Sequence, residues 1–99
     1  MNKAKAREIQ DRIRQVLLHD WDPIGVADEP QAQDEYDSYV GAIYRLLASR
    51  ASEQEIADHL GKIETEGMEL PPREPSILLG VVRKLKAVDF HLADRGPAA

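Results

Sequence analysis

The sequence contains no cysteine, which removes disulfide scaffolds, thiolate metal sites and cysteine nucleophiles together. A small domain without such staples must hold itself by apolar burial, and 99 residues are enough for one modest core and too few for two. Long apolar runs are missing as well. The start, Met1-Asn2-Lys3-Ala4-Lys5-Ala6-Arg7-Glu8, is basic, but no stretch of signal-peptide length follows it and nothing later approaches a membrane span. The expectation is a cytoplasmic protein with no membrane partner.

Positive charge is in short supply, with 13 Lys and Arg against 18 Asp and Glu and a formal net charge of -5. Neutralising phosphates takes Lys and Arg, so nucleic acid and anionic lipid are disfavoured as partners and a basic protein surface is favoured. There is also no glycine-rich phosphate loop and no serine in a nucleophile-elbow setting, and no catalytic residue, metal ligand or cofactor is assigned. Internal repeats and alternating strand patterns are absent.

Present instead are 42% hydrophobic and 31% charged residues, enough apolar surface to fold. Apolar residues recur at steps of three and four in four segments, the spacing that lines one face of a helix. The first spans residues 3–19 with Ile9, Ile13, Val16 and Leu17 as its stripe, supported by Arg7 with Asp11 and Glu8 with Arg12 at spacing four. Asp20-Trp21-Asp22-Pro23 should end it, because the residue before proline is pushed out of the helical region. Residues 24–33 read as a loop, with Asp34 as N-cap or first-turn acid of a second helix over residues 35–49. That helix carries Tyr36, Tyr39, Val40, Ile43, Leu46 and Leu47 as the expected centre of the core, with Gly41 and Ala42 leaving room for a neighbour.

Ser52 and Glu55 form a capping box that opens a third helix, with Ile56, Ala57, Leu60 and Ile63 buried and Gly67 as its left-handed stop. After the stiff connector Pro71-Pro72-Arg73-Glu74-Pro75, Pro75 suits the first position of a fourth helix. Ile77, Leu78, Val81, Val82, Leu85, Val88 and Leu92 are its apolar face, and Gly80 is expected to mark close packing. The fold expected is all-α, a compact bundle of about four amphipathic helices in a single domain over residues 1–99, frayed from about residue 95.

The most distinctive stretch is residues 20–37, which holds Asp20, Asp22, Asp28, Glu29, Asp34, Glu35 and Asp37 and no Lys or Arg. Such a focus of one sign attracts a cationic partner and speeds association. The bland alternative is a solvated loop plus acids that favour a helix start. Trp21 between two aspartates is either a core anchor under the loop or an exposed hot spot ringed by charge. Asp20, Trp21, Asp22, Asp28, Glu29, Asp34 and Asp37 are the candidate partner-binding residues.

Other patterns fail on inspection. Asp20, Asp22, Gly25 and Asp28 match positions one, three, six and nine of a calcium-binding EF-hand loop, but Ile24 and Gln31 stand where further oxygen ligands belong. Residues 52–61 resemble the first helix and turn of a helix-turn-helix motif, yet the recognition helix that should follow is the acidic Lys62-Ile63-Glu64-Thr65-Glu66, which phosphates would repel. His19, His59 and His91 each fall near the end of a helical segment, where imidazolium complements the dipole. Arg83, Lys84 and Lys86 read as a solvated basic face or a partner for the acidic loop, and with Lys3, Lys5 and Arg7 they make the molecule dipolar.

The phrases Trp21-Asp22-Pro23-Ile24-Gly25-Val26, Asp34-Glu35-Tyr36-Asp37-Ser38-Tyr39-Val40 and Ile43-Tyr44-Arg45-Leu46-Leu47 resemble a family of small uncharacterised bacterial proteins, a domain of unknown function. The resemblance runs from the first helix to about residue 70 and implies a bacterial origin and an all-helical domain, with no catalytic residue to carry over. Immunity proteins that neutralise toxins share the small size and acidity, an analogy that does not give function. Taken together, the sequence predicts a non-enzymatic acidic interaction domain, immunity-like or adaptor-like, offering residues 20–37 to a basic protein. The competing readings are a small-molecule or metal-dependent enzyme using the same carboxylates with His19, and a helix-turn-helix DNA-binding protein. Geometry separates the enzyme from the interaction domain, since catalytic carboxylates converge in a cleft and recognition carboxylates spread over a convex face.

Overall fold

In the computed structural model, which describes residues 3–88, the periodic segments become four α-helices: α1 (Lys3–Val16), α2 (Asp37–Ala48), α3 (Glu53–Lys62) and α4 (Pro75–Lys86). No strand occurs among the described residues. Helix α1 packs on α2, α3 packs on α4, and contacts between α1 and α4 join the two pairs. The apolar stripes meet in one core, where Ile9, Ile13, Leu17, Ile43, Ile56, Leu60, Val82 and Leu85 are fully buried. The all-α bundle is as expected, and no helix among the described residues is long and apolar enough to cross a membrane.

Two helix ends do what their residues dictate. Ser52 Oγ accepts from the Glu55 amide at 3.1 Å and Glu55 Oε1 accepts from the Ser52 amide at 3.0 Å, closing the expected capping box. Pro75 is the first residue of α4. At the end of α2 the amides of Arg50 and Ala51 donate to the carbonyls of Leu47 and Leu46 at 3.1 and 2.9 Å. This is a Schellman closure with a left-handed arginine (φ 60°) where glycine is usual.

Other local expectations change. Helix α1 does not stop at residue 19 but widens into a π turn, Leu17–Trp21, that ends on left-handed Asp22. Asp34 does not cap α2 by its side chain; Tyr36 occupies the cap position without a side-chain bond. Asp11 pairs with Arg14 at 2.9 Å, whereas Glu8 meets Arg12 at 3.6 Å as the spacing suggested. Helix α3 also continues, through a second π turn (Ile63–Gly67), and the left-handed residue beyond it is Glu69, not Gly67. Gly61 lies inside the helix, so residues 52–61 have no turn of the helix-turn-helix kind.

Gly80 is exposed, with no atom within 4 Å of where a Cβ would sit, and the close approach is at Gly61, whose Cβ would meet Leu78 Cδ1 at 3.5 Å. A Cβ at Gly41 would meet only Arg45 of its own helix, at 3.7 Å. Ile77 is 45% exposed and leaves the apolar face of α4. His59 is half-buried, and burial together with the Lys62 charge lowers its pKa, so the imidazolium expected at the end of α3 is disfavoured. His91, Leu92 and the terminal segment from residue 95 lie outside the described residues.

Candidate functional site

The acidic segment is built in two layers, starting from Trp21. The π turn adds one residue per hydrogen-bonded ring relative to an α-helix and so rotates Trp21 inward, where it is 2% exposed. Its ring lies 5.2 Å from Tyr36, tilted, and 5.9 Å from Tyr39, edge-on, which are favourable aromatic geometries. Its indole Nε1 donates to Glu64 Oε2 at 2.6 Å. Trp21 is therefore buried as the core anchor of the two expected roles, and Tyr36, expected in the core, is equally buried.

Glu64 is the one buried charged residue among those described, 1% exposed, and it sits in the second π turn. Arg73 of the proline-rich connector closes on it with both prongs of its fork, Nε to Oε1 at 3.0 Å and Nη2 to Oε2 at 2.6 Å. Three donors thus satisfy the carboxylate, which a buried charge requires. The hydrogen bond to Glu64 raises the Arg73 pKa above its ordinary value against the effect of burial. Trp21, Glu64 and Arg73 come from three separate parts of the chain and tie the start of the acidic loop to the α3–α4 connector.

Asp22 is the second tether. Its Oδ1 accepts from the Val26 amide at 2.7 Å and the Tyr36 hydroxyl at 2.8 Å, and its Oδ2 accepts from the Ala27 amide at 3.1 Å. Burial pushes its pKa up, but the bonds from Val26, Tyr36, Ala27 and Gly25 outweigh this and leave it below the ordinary value. Burial, then the bond to Asp22, pushes the Tyr36 phenol well up. Asp22 thus ties down its own loop.

Beyond Asp22 the chain folds into consecutive turns. Glu29 donates to the Val26 carbonyl, Ala32 to Glu29, Glu35 to Ala32 and Asp37 to Asp34, all at 3.0 to 3.1 Å. Gln33 Nε2 crosses the loop to the carbonyls of Ala27 at 3.1 Å and Glu29 at 2.8 Å. What read as an irregular loop is a fixed knuckle.

The remaining carboxylates divide by partner. Asp20 meets Lys84 Nζ at 2.8 Å and Asp37 meets Arg14 Nε at 2.9 Å. Lys84 is thus a partner of the acidic segment, and Arg83 lies 3.8 Å from Glu53. Asp28, Glu29, Asp34 and Glu35 are exposed and meet no cation among the described residues. Ile24 beside them is 41% exposed. No cluster of three or more His, Asp or Glu among the described residues is placed to hold a metal ion, and the three carboxylates of the calcium-loop pattern diverge, Asp20 to Lys84, Asp22 to its own loop and Tyr36, and Asp28 to solvent. His19 is exposed on the π turn.

Glu64 and Arg73 were missed by the sequence reading, although a signal existed. Glu64 falls four residues after Leu60 and eight after Ile56, in register with the buried stripe, so its helix carries a charge where a core residue belongs. No family model, curated protein or solved structure matches the chain.

Proposed function

We propose that the protein is a non-enzymatic interaction domain that presents the knuckle of residues 24–35 to a basic protein surface. The observation that carries this reading is the set of four exposed carboxylates, Asp28, Glu29, Asp34 and Glu35, on a backbone already fixed by Asp22 and Gln33. A preformed acidic surface loses little conformational freedom on binding, and its uncompensated charge speeds encounter with a cationic partner. Ile24 supplies an apolar contact at the rim. Asp20 and Asp37 border the surface through their ion pairs, and Trp21 and Asp22 act from beneath it.

The enzyme alternative is less well supported, because the segment's carboxylates diverge to Lys84, Arg14, the loop backbone and solvent instead of converging in a cleft. The reading places the protein in the cytoplasm, which suits a chain without cysteine. The test is affinity capture from an extract of the source cells with wild type and with a variant carrying Asp28→Asn, Glu29→Gln, Asp34→Asn and Glu35→Gln. The expected result is a basic protein retained by the wild type, released by salt and absent from the variant capture. Equal retention of the same proteins by both baits would remove the knuckle from the functional account.

A further inference from the structure

Residues of α3, α4 and the proline-rich connector line a groove of about 390 Å3, within the range of small-ligand sites. Ala57, Gly61 and Leu78 are among its apolar lining, and Pro72 of the connector and Pro75 at the start of α4 border it. The groove exists because Gly61 has no side chain to fill it: a Cβ there would stand in ordinary contact with Leu78, and any longer group would enter the space.

The polar end is built from buried parts. Arg73 turns Nε and Nη2 onto Glu64, and its side chain remains 30% exposed. Nη1 has no bond to protein among the described residues. Glu64 is in turn held by the Trp21 indole, so the guanidinium is aimed before any ligand arrives. Lys62, exposed and without an ion pair among the described residues, lines the same space. Asp58 lies one turn earlier on α3, where Gln54 donates to it at 2.8 Å, so negative charge sits toward one end of the groove and positive charge toward the other.

We propose that this groove binds a small amphipathic carboxylate, with its apolar body against Ala57, Gly61 and Leu78 and its carboxylate between Arg73 Nη1 and the Lys62 ammonium. Charge and shape select the class. Lys62 and the Nη1 edge of Arg73 offer charge-assisted donors that a carboxylate uses; an amine is left with Asp58, which already accepts from Gln54, and an uncharged chain leaves the guanidinium edge unused. The site is independent of the acidic knuckle, and either can fail without the other.

The test is a titration of isotope-labelled protein with octanoate, followed by amide chemical shifts, with octylamine and octanol as controls. Saturable shifts grouped around residues 57–65 and 72–79, at least about tenfold tighter for octanoate than for either control, are expected. Lys62→Glu should weaken octanoate about tenfold or more, and Gly61→Leu should abolish the shifts by filling the groove; neither residue takes part in the Glu64 pair, and each variant's unperturbed spectrum reports that it folds. Absence of saturation up to millimolar octanoate, equal response to octylamine, shifts scattered over other apolar patches, or unchanged binding by folded Gly61→Leu would each overturn the proposal.

Discussion

The inner and outer faces of residues 20–37 use the same residue type in opposite ways. On the inner face, Asp22 collects two amides and a tyrosine hydroxyl, and Trp21 binds a buried glutamate from another helix. On the outer face, Asp28, Glu29, Asp34 and Glu35 are exposed and pair with no cation among the described residues. The donors within reach, not the local density of acids, decide whether a carboxylate holds the fold or is left for a partner. Substitutions on the two faces should therefore separate cleanly in size and in what they affect.

The largest effect is expected at Glu64. Glu64→Ala removes one member of a buried pair and leaves the Arg73 guanidinium and the Trp21 indole without it, a loss of about 3 to 5 kcal/mol in urea unfolding. Glu64→Leu with Arg73→Met should recover part of that loss, because an apolar pair of similar volume has no charge to desolvate, while the Trp21 indole still lacks its acceptor. If Glu64→Ala costs under 1 kcal/mol, the inner face is not the anchor described. Ile43→Ala, at the fully buried centre of α2, is expected to cost about 2 to 5 kcal/mol by the same measurement. Trp21→Phe keeps most of the packing and removes one donor to Glu64, for which about 1 to 3 kcal/mol is expected.

Acid titration sharpens the comparison further. The folded-state pKa of Asp22 lies below its unfolded value, so its contribution is complete above about pH 4 and is lost as pH falls through the lowered folded value. Asp22→Asn should flatten the stability profile in that window. Neutralising Asp28, Glu29, Asp34 and Glu35 together should shift stability by less than about 1 kcal/mol, since exposed charges contribute little. The smallest effect, and one of opposite sign, belongs to Arg50→Gly: relieving the left-handed arginine should stabilise by up to about 1 kcal/mol.

Much of this fold was legible because it rests on local physics. The capping box, Pro75 at the start of α4 and the stripes of Ile9, Ile13, Ile43, Leu60 and Leu85 follow from spacing and cap chemistry alone. The π turns were not legible, since an extra residue per turn is set by what Trp21 and Glu64 reach across the core. Gly67 and Gly80 misled for a related reason: glycine permits a left-handed turn or a close approach, but permission does not show where the chain uses either. The acidic segment was visible as a run of charge. Its division into tethers and free carboxylates depends on Tyr36, Lys84, Arg14 and Glu64, contacts that only the folded chain supplies.

The central claim is that the knuckle is fixed from within before any partner arrives, and amide hydrogen exchange at Val26 and Ala27 tests it most directly. Both amides donate to Asp22, so in the isolated protein they should exchange at least about tenfold more slowly than in an unstructured peptide, and equally slowly after the four outer carboxylates are neutralised. Exchange at the unstructured rate in the isolated protein would contradict the account, because the carboxylates would then belong to a loop that no inner tether holds.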